Sequence, residues 1–209
     1  MTKAAREHTL DAVQFLTRKE TVVNTLAITV SGTGTILEAL LKHDLPIGLV
    51  LADRECRALH IARQHSAIRS VLLDRNAFVV RRCFDRTSFT NEAERIFATS
   101  SIEVVAMAGF MTMWSSQIFA GRFRHKILNT HPSLLPAFKG NNAVRDALAY
   151  GVKITGCTIH LATAELDTGP ILAQAPVSVR ASDTVDSLHE RIKKVERKLY
   201  PQTLKEFLG

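Results

Sequence analysis

Residues 25–35 read TLAITVSGTGT and set the pattern for the rest of the chain. Thr25–Val30 is a short run rich in β-branched and apolar side chains, which is typical of a buried strand. Ser31–Thr35 follows with two glycines, which is typical of a tight loop. Helical spacing then begins at Ile36 and runs to His43. A strand, a glycine-rich loop and a helix in this order predict the first unit of an α/β fold.

The alternation of strand and helix continues to about residue 150. Further strands are predicted at Ile47–Ala52, Ser70–Leu73, Glu103–Ala108 and Lys126–Asn129. Helical segments are predicted at Ala58–His65, Ser88–Thr99, Ser115–Ala120 and Asn142–Tyr150. Strands that alternate with helices indicate a parallel sheet covered on both faces, so the pattern predicts a doubly wound α/β core.

The last third of the chain departs from this alternation. Ile154–Leu161 and Ile171–Val179 are predicted as successive strands with no helix between them, which favours antiparallel pairing. Thr184–Phe207 is predicted as a closing helix that is broken or kinked at Pro201. The sheet is therefore expected to be mostly parallel, with a mixed C-terminal part.

The 209 residues favour one domain, at residues 25–209, preceded by an extension at residues 1–24. Leu10, Val13, Phe15 and Leu16 predict a short amphipathic helix in that extension. It lacks the apolar core and cleavage site of a signal peptide, and the chain has no apolar run of the roughly 20 residues that span a bilayer. We therefore expect a cytoplasmic protein that does not enter a membrane.

The net charge is +7, which favours anionic partners such as nucleic acids, phosphorylated metabolites or polycarboxylates. Aromatic residues make up only 6% of the chain, which argues against a stacking platform for nucleic-acid bases. The three cysteines contain no CxxC pair and the histidines lack zinc-helix spacing, so neither a disulfide framework nor a metal site is expected.

The loop Ser31–Thr35 is either a tight structural turn or a phosphate cradle. Glycines allow backbone N–H groups to approach an anion, and the start of a helix favours negative charge. Asp53, at the end of the second predicted strand, suggests a dinucleotide site as a competitor. That fingerprint fails because Leu37 occupies the third glycine position, and the lysine of a P-loop is also missing.

Asn129 and His131 are two residues apart in a predicted extended segment, so their side chains share one face. An amide donor beside an imidazole can stabilise an oxyanion and move a proton. The alternative is an ordinary histidine with a capping asparagine. Asp167, in the turn-like stretch 165–170, is either a turn residue or the carboxylate that orients a histidine. His160 is predicted to be a core histidine.

Four motifs together resemble the folate-dependent formyltransferases. They are Ser31–Gly34, Ala108–Met111, Asn129–Pro136 and Leu166–Ile171, and they occur in the order typical of that family from about Thr25 to the C-terminus. The resemblance implies a Rossmann-like formyltransferase fold. It also implies transfer of a formyl group from 10-formyltetrahydrofolate to the amine of glycinamide ribonucleotide, a step of de novo purine biosynthesis.

The resemblance also assigns roles to individual residues. Asn129 and His131 would flank the formyl carbon, and Asp167 would pair with His131. The acceptor would be bound by Gly32, Thr33, Gly34, Thr35, Ile36, Lys193 and Glu196. The folate would be bound by Arg86, Met111, Thr112, Met113, Trp114, Asn129, Ala164 and Glu165. No metal and no nucleic acid are implied, and the protein is expected to be a monomer or a homodimer.

Three residues depart from the family pattern. Ile36 stands where many members have Asn, Lys139 replaces a common Pro and Asn142 replaces a common His. The last two drift toward the formyltetrahydrofolate deformylases, which hydrolyse the same donor. A deformylase-like hydrolase that lacks their regulatory domain, and a catalytically silent basic binding module, are the alternatives.

Overall fold

The computed structural model describes residues 25–209 of the chain. The helix predicted near the N-terminus lies outside the described residues. Within residues 25–209, seven strands form one sheet in the order β3-β2-β1-β6-β7-β8-β9. These strands are β1 (Thr25–Val30), β2 (Ile47–Ala52), β3 (Arg69–Leu72), β6 (Ile102–Met107), β7 (Ile127–His131), β8 (Ile154–Leu161) and β9 (Ile171–Ser178).

The first five strands of the sheet are parallel, and the last two pairings are antiparallel. β1 pairs in parallel with both β2 and β6, and β6 pairs in parallel with β7. β8 is antiparallel to β7 and to β9. The predicted mostly parallel sheet with a mixed C-terminal part is therefore confirmed.

Five α-helices cover the sheet in the described part of the chain. They are α1 (Thr35–Leu40), α2 (Arg57–Arg63), α3 (Arg86–Thr99), α4 (Ala143–Tyr150) and α5 (Val185–Leu208). Single turns of 3₁₀ helix lie at Arg75–Phe78 and Ser116–Phe119. The helix α5 is continuous across Pro201, where the sequence predicts a break or kink. The neighbouring Tyr200 is fully buried and donates a hydrogen bond to the Leu128 carbonyl, so packing against the sheet supports the helix there.

A small hairpin was not predicted. It consists of β4 (Val79–Val80) and β5 (Cys83–Phe84), joined by Arg81 and Arg82, which both have positive φ angles. Two-residue strands are too short for a hydrophobic period to be recognised, and arginine is not the Gly or Asn that marks such a turn.

Both faces of the sheet are buried because β1 alternates its side chains between two apolar clusters. Leu26, Ile28 and Val30 pack with α1, α2 and the C-terminal half of α5. Ala27, on the other face, belongs to the cluster that contains Phe89 and Phe97 of α3. This alternation with burial on both sides is what a doubly wound parallel sheet requires.

The strand order reverses between β1 and β6, because one half of the sheet runs from β1 to β3 and the other from β6 to β9. In open α/β sheets, ligands bind in the crevice outside the carboxyl ends of the strands at such a switch point. The segments that leave the sheet there are Ser31–Gly34 after β1 and Ala108–Ser115 after β6. The fold therefore brings two of the four sequence motifs to one crevice.

Candidate active site

A cavity of about 610 Å³ lies at this switch point. Predicted residues that line it are Gly32, Thr33, Gly34, Thr35, Ile36, Met111, Thr112, Met113, Trp114, Asn129, His131, Ala164, Asp167, Lys193 and Glu196. The structure thus brings together residues that are far apart in sequence, from the loops after β1 and β6, from α1, β7 and α5, and from the turn before β9.

Two predicted folate residues do not line this cavity. Arg86 is the first residue of α3 and is exposed. Glu165 is also exposed, and its backbone carbonyl accepts hydrogen bonds from the hydroxyls of Thr163 and Thr168, which close the turn. Neither side chain lines the cavity in this structure, so the binding of the folate by Arg86 and Glu165 stays a prediction.

The three predicted catalytic residues meet at the carboxyl end of β7. Nδ1 of His131 lies 3.4 Å from Oδ2 of Asp167. The other ring nitrogen of His131, Nε2, donates to the Phe138 carbonyl at 2.8 Å. Both His131 and Asp167 are buried. The pairing of Asp167 with His131 implied by the family resemblance is therefore present in the geometry, and the imidazole is held from two sides.

His160 is a fourth member of this cluster that the sequence interpretation treated as core. It lies opposite Asn129 in the antiparallel pairing of β8 with β7, and its Nε2 is 3.6 Å from Oδ1 of Asp167. Its Nδ1 lies 3.1 Å from the Leu161 carbonyl and donates to it. Nε2 then carries the lone pair, and the Asn129 amide at 3.2 Å donates to it.

Burial lowers the pKa of His160, although the Leu161 carbonyl and Asp167 act in the opposite direction. The lowered pKa agrees with the neutral tautomer that the two hydrogen bonds require. Because one N–H of the Asn129 amide donates to His160, the side-chain orientation of Asn129 is determined. The second N–H of that amide is left for a ligand oxygen.

The position of Asp167 depends on backbone conformations that are uncommon for non-glycine residues. Asp167 has a φ of 53° and Phe138 has a φ of 52°. The Gly140 backbone N–H donates to Oδ2 of Asp167 at 2.8 Å, so the loop after β7 holds the turn before β9. Left-handed backbone at such positions is maintained only where the surrounding structure fixes it, and here the fixed element is the His131–Asp167 pair.

The glycine-rich loop after β1 is also fixed by its neighbours. Gly34 precedes α1 with a φ of 79°, and a Cβ there would lie 2.8 Å from the Ala58 Cα, so only glycine fits. The Arg57 guanidinium donates to the Thr33 carbonyl at 2.6 Å. Because this contact uses a carbonyl, it leaves the N–H groups of the loop available to bind an anion.

Helix α5 presents a polar stripe to the cavity, formed by His189, Lys193 and Glu196. The Thr130 hydroxyl donates to the Glu196 carboxylate. Burial raises the pKa of Glu196, and the hydrogen bond from Thr130 opposes that shift. The Lys193 ammonium donates to the Glu190 carboxylate at 2.9 Å. Because this pair is exposed, a bound anion can replace Glu190 as the partner of Lys193.

The loop after β6 forms the opposite, apolar side of the cavity. Phe110 and Trp114 stack with ring centroids 4.8 Å apart. The loop is tied to the sheet by the Met111 N–H, which donates to the Ser31 hydroxyl at 2.8 Å. It is tied again by the Thr112 hydroxyl, which donates at 2.6 Å to the fully buried Asp53. Asp53 therefore positions a loop and does not line the cavity.

The three departures from the family pattern lie in different surroundings. Ile36 lines the cavity and is also part of the apolar cluster beneath α1, so it supplies no polar contact. Lys139 and Asn142 are exposed and do not line the cavity, although Gly140 and Asn141 between them do. The two residues that resemble the deformylase pattern, Lys139 and Asn142, therefore lie on the outer part of the loop after β7 and not at the cavity.

Two cavity features were missed because they depend on tertiary structure. Thr130 contacts Glu196 and His160 contacts Asn129, and each pair joins different elements. His189 also lines the cavity, although no function was predicted for it. Its position four residues before Lys193 on a predicted helix was the available signal.

Two general findings concern the described part of the chain. No helix within residues 25–209 is long and apolar enough to cross a membrane. No group of three His, Cys, Asp or Glu side chains in the same residues could hold a metal ion.

Comparison with known proteins places the chain among enzymes of one type. Residues 24–204 match the family model described as formyl transferase. The chain is 45% identical over 181 residues to phosphoribosylglycinamide formyltransferase of Mycobacterium tuberculosis, which covers 83% of this chain and 80% of the relative. It is 36% identical over 185 residues to the trifunctional purine biosynthetic protein adenosine-3 of Gallus gallus, covering 86% of this chain and 18% of that protein.

Solved structures agree with this result. The crystal structure of glycinamide ribonucleotide transformylase 1 from Symbiobacterium toebii matches with a TM-score of 0.80 and 34% identity. The match covers 88% of this chain and 87% of that one.

Proposed function

The chain belongs to the formyl transferase family, and we propose that it transfers the formyl group of 10-formyltetrahydrofolate to the amine of N1-(5-phosphoribosyl)glycinamide. The reaction is a step of de novo purine biosynthesis, in agreement with the names of the relatives. The resemblance indicated by the sequence motifs is confirmed at the level of the family. A cytoplasmic location and a single catalytic domain at residues 25–209 belong to the same proposal.

One observation carries the proposal: a single cavity is lined by the His131–Asp167 pair, by the glycine-rich loop and by Lys193. A formyl transferase must bind two substrates with the formyl carbon beside the attacking amine. Loop N–H groups and a lysine suit the phosphate of the acceptor. The apolar loop with Phe110 and Trp114 suits the flat ring of the donor. The catalytic cluster lies in the same cavity as both.

The amine attacks the formyl carbon and produces a tetrahedral intermediate with a negatively charged oxygen. We propose that the free N–H of the Asn129 amide and the imidazole of His131 donate to that oxygen. His131 Nε2 donates to the Phe138 carbonyl in the structure, so the substrate oxygen must replace that acceptor. The Asn129 amide is already oriented by His160, and the loss of one oxyanion donor typically costs about 100-fold or more in turnover.

The intermediate collapses when the bond between the formyl carbon and the folate nitrogen breaks. A proton leaves the attacking amine and a proton reaches the leaving nitrogen, so the products are the formylated amine and tetrahydrofolate. Asp167 contacts His131 and lines the cavity, and it can pass this proton through an intervening water. Its carboxylate also balances the positive charge of a protonated His131.

The proposal is tested by incubating the purified protein with 10-formyltetrahydrofolate, with and without glycinamide ribonucleotide. We expect tetrahydrofolate and formylated product to appear together, and only slow release of formate without the amine. Equal release in both reactions with no formylated product would favour the deformylase alternative. No release in either would favour the silent binding module.

A further inference from the structure

His189 lies on the cavity face of α5 and has no role in the chemistry described above. It lines the cavity together with Lys193 and Glu196, four and seven residues further along the helix. Residues with this spacing lie on one face of a helix, with Cβ atoms of successive members roughly 5–6 Å apart. The three side chains therefore form one polar stripe in a cavity that the glycine-rich loop also lines.

The His189 ring is half-buried and makes no hydrogen bond to any residue of the described chain. Burial lowers its pKa, and Lys193 lowers it further, whereas Glu190 and Asp186 raise it. Other titratable groups that line the same cavity are His131, His160 and Asp167. A half-buried imidazole with no protein partner has its ring nitrogens available to a ligand in the cavity.

The charge balance at this end of the cavity is incomplete for a phosphate dianion. Lys193 supplies one positive charge, and Glu196 is buried, hydrogen-bonded to Thr130 and has a raised pKa. The phosphate of the acceptor carries a charge of about −1.5 to −2 near neutral pH. A second cation beside Lys193 would complete the match, and His189 is the residue of the stripe that can become one.

We propose that His189 is a third component of the acceptor phosphate site, beside Lys193 and the Ser31–Thr35 loop, and that it takes up a proton when the phosphate binds. The inference rests on the proposed function, because it names the binding site of that reaction's acceptor. The bound anion favours the imidazolium, so phosphate binding and proton binding strengthen each other. Acceptor binding then weakens as the pH rises and His189 loses its proton.

The test compares two acceptors that differ only in the phosphate. The KM of glycinamide ribonucleotide and of the dephosphorylated glycinamide riboside is measured for the wild type, His189→Ala and His189→Gln. His65→Ala, an exposed histidine outside the cavity, is the matched control. At about pH 6, the acid end of the range, we expect His189→Ala to raise the KM of the ribonucleotide about tenfold. The KM of the riboside and of the folate should stay unchanged.

The pH dependence provides a second readout. The ratio of the two acceptor KM values should change with pH between about 6 and 8 in the wild type. The weakening of ribonucleotide binding with rising pH should be lost in His189→Gln, where only the second ionisation of the phosphate remains, and that ionisation strengthens binding as the pH rises. An equal effect on both acceptors, or no effect of either substitution, would overturn the inference while leaving the proposed function intact.

Inorganic phosphate supplies a readout that does not need turnover. Calorimetric titration in buffers of different ionisation enthalpy should show proton uptake with the wild type and weaker, proton-independent binding with His189→Ala. If the wild type forms no formylated product, the proposed function fails, and the phosphate titration alone then decides whether His189 binds the anion. Identical phosphate binding by the wild type and His189→Ala would overturn the inference.

Discussion

Nδ1 of His131 lies 3.4 Å from Oδ2 of Asp167, with both side chains buried beside the cavity. The same carboxylate accepts a hydrogen bond from Gly140, and its other oxygen lies 3.6 Å from His160. One carboxylate thus faces two imidazoles and fixes the loop that follows β7. Loss of its charge should therefore impair the chemistry more than the fold.

Asp167→Asn keeps the shape and the capacity to accept from Gly140, but it removes the negative charge. We expect the turnover number to fall by about 100-fold to 10,000-fold, the range typical of a lost acid–base group. The thermal unfolding midpoint should change little. Full activity of Asp167→Asn in the formyl-transfer assay would show that the turn has only a structural role.

Asn129→Ala and His131→Ala each remove one donor to the oxyanion. We expect turnover to fall by at least about 100-fold in each variant. Asn76→Ala, which replaces an exposed residue of a 3₁₀ turn, is the control and should behave as the wild type. The measurement is kcat under saturating substrates, with circular dichroism to verify the fold. Turnover close to that of the wild type in either catalytic-site variant would contradict the assignment.

His160 makes the stability of the protein depend on pH. Burial lowers its pKa below the ordinary value of 6.5, so the unfolded chain binds a proton that the folded chain does not. The free energy of unfolding therefore has its full value at a pH above the unfolded-state pKa of His160, and it decreases as the pH falls below that pKa. His160→Gln has no proton to bind, so it should lose less unfolding free energy than the wild type between about pH 7.5 and 5.5. Urea denaturation at both pH values measures this, and equal losses would contradict the prediction.

The sequence predicts the elements of this fold well where the hydrophobic period is long. β1, β2 and β8 have the predicted bounds, because each is an apolar run between clear turn signals. The strand predicted at Lys126–Asn129 extends instead to His131, which places the histidine inside the sheet. The difference arises because the antiparallel partner β8 supplies hydrogen bonds beyond the apolar part of the run.

The site was predicted less completely because part of it is created by strand register. The pairing of Asn129 with His160 follows from the antiparallel register of β7 and β8, for which the local sequence carries no signal. A histidine in a buried strand is predicted to be part of the core, and His160 is indeed buried. Only the tertiary structure shows that its neighbours are Asn129 and Asp167.

Lys193 is expected to contribute to acceptor binding and not to the chemical step. Lys193→Ala should raise the KM of glycinamide ribonucleotide by about 10-fold to 100-fold and leave the KM of the folate unchanged, because a lost charged contact costs roughly 1.5–3 kcal/mol. Lys194→Ala is the matched control, since Lys194 is exposed and does not line the cavity. Initial rates at varied concentrations of each substrate test this. An equal change in both KM values would contradict the placement of Lys193 at the phosphate.

The loop after β7 contains two neighbouring asparagines, of which one lines the cavity and the other does not. Both are exposed, but only Asn141 lines the cavity, and the Asn142 side chain makes no capping hydrogen bond at the start of α4. A transferase must exclude water from the reacting carbon, so only residues that line the cavity should affect the partition. We expect Asn141→Ala to increase the share of donor that is hydrolysed.

Asn142→Ala and Lys139→Ala should leave that share unchanged, because neither side chain reaches the cavity. The measurement is the amount of tetrahydrofolate formed for each molecule of formylated amine, with both substrates saturating. A ratio near one in the wild type and in both outer-loop variants is expected. If Asn142→Ala or Lys139→Ala instead abolishes hydrolysis that the wild type performs, the two departures from the family pattern control the chemistry, and the enzyme acts in part as a deformylase.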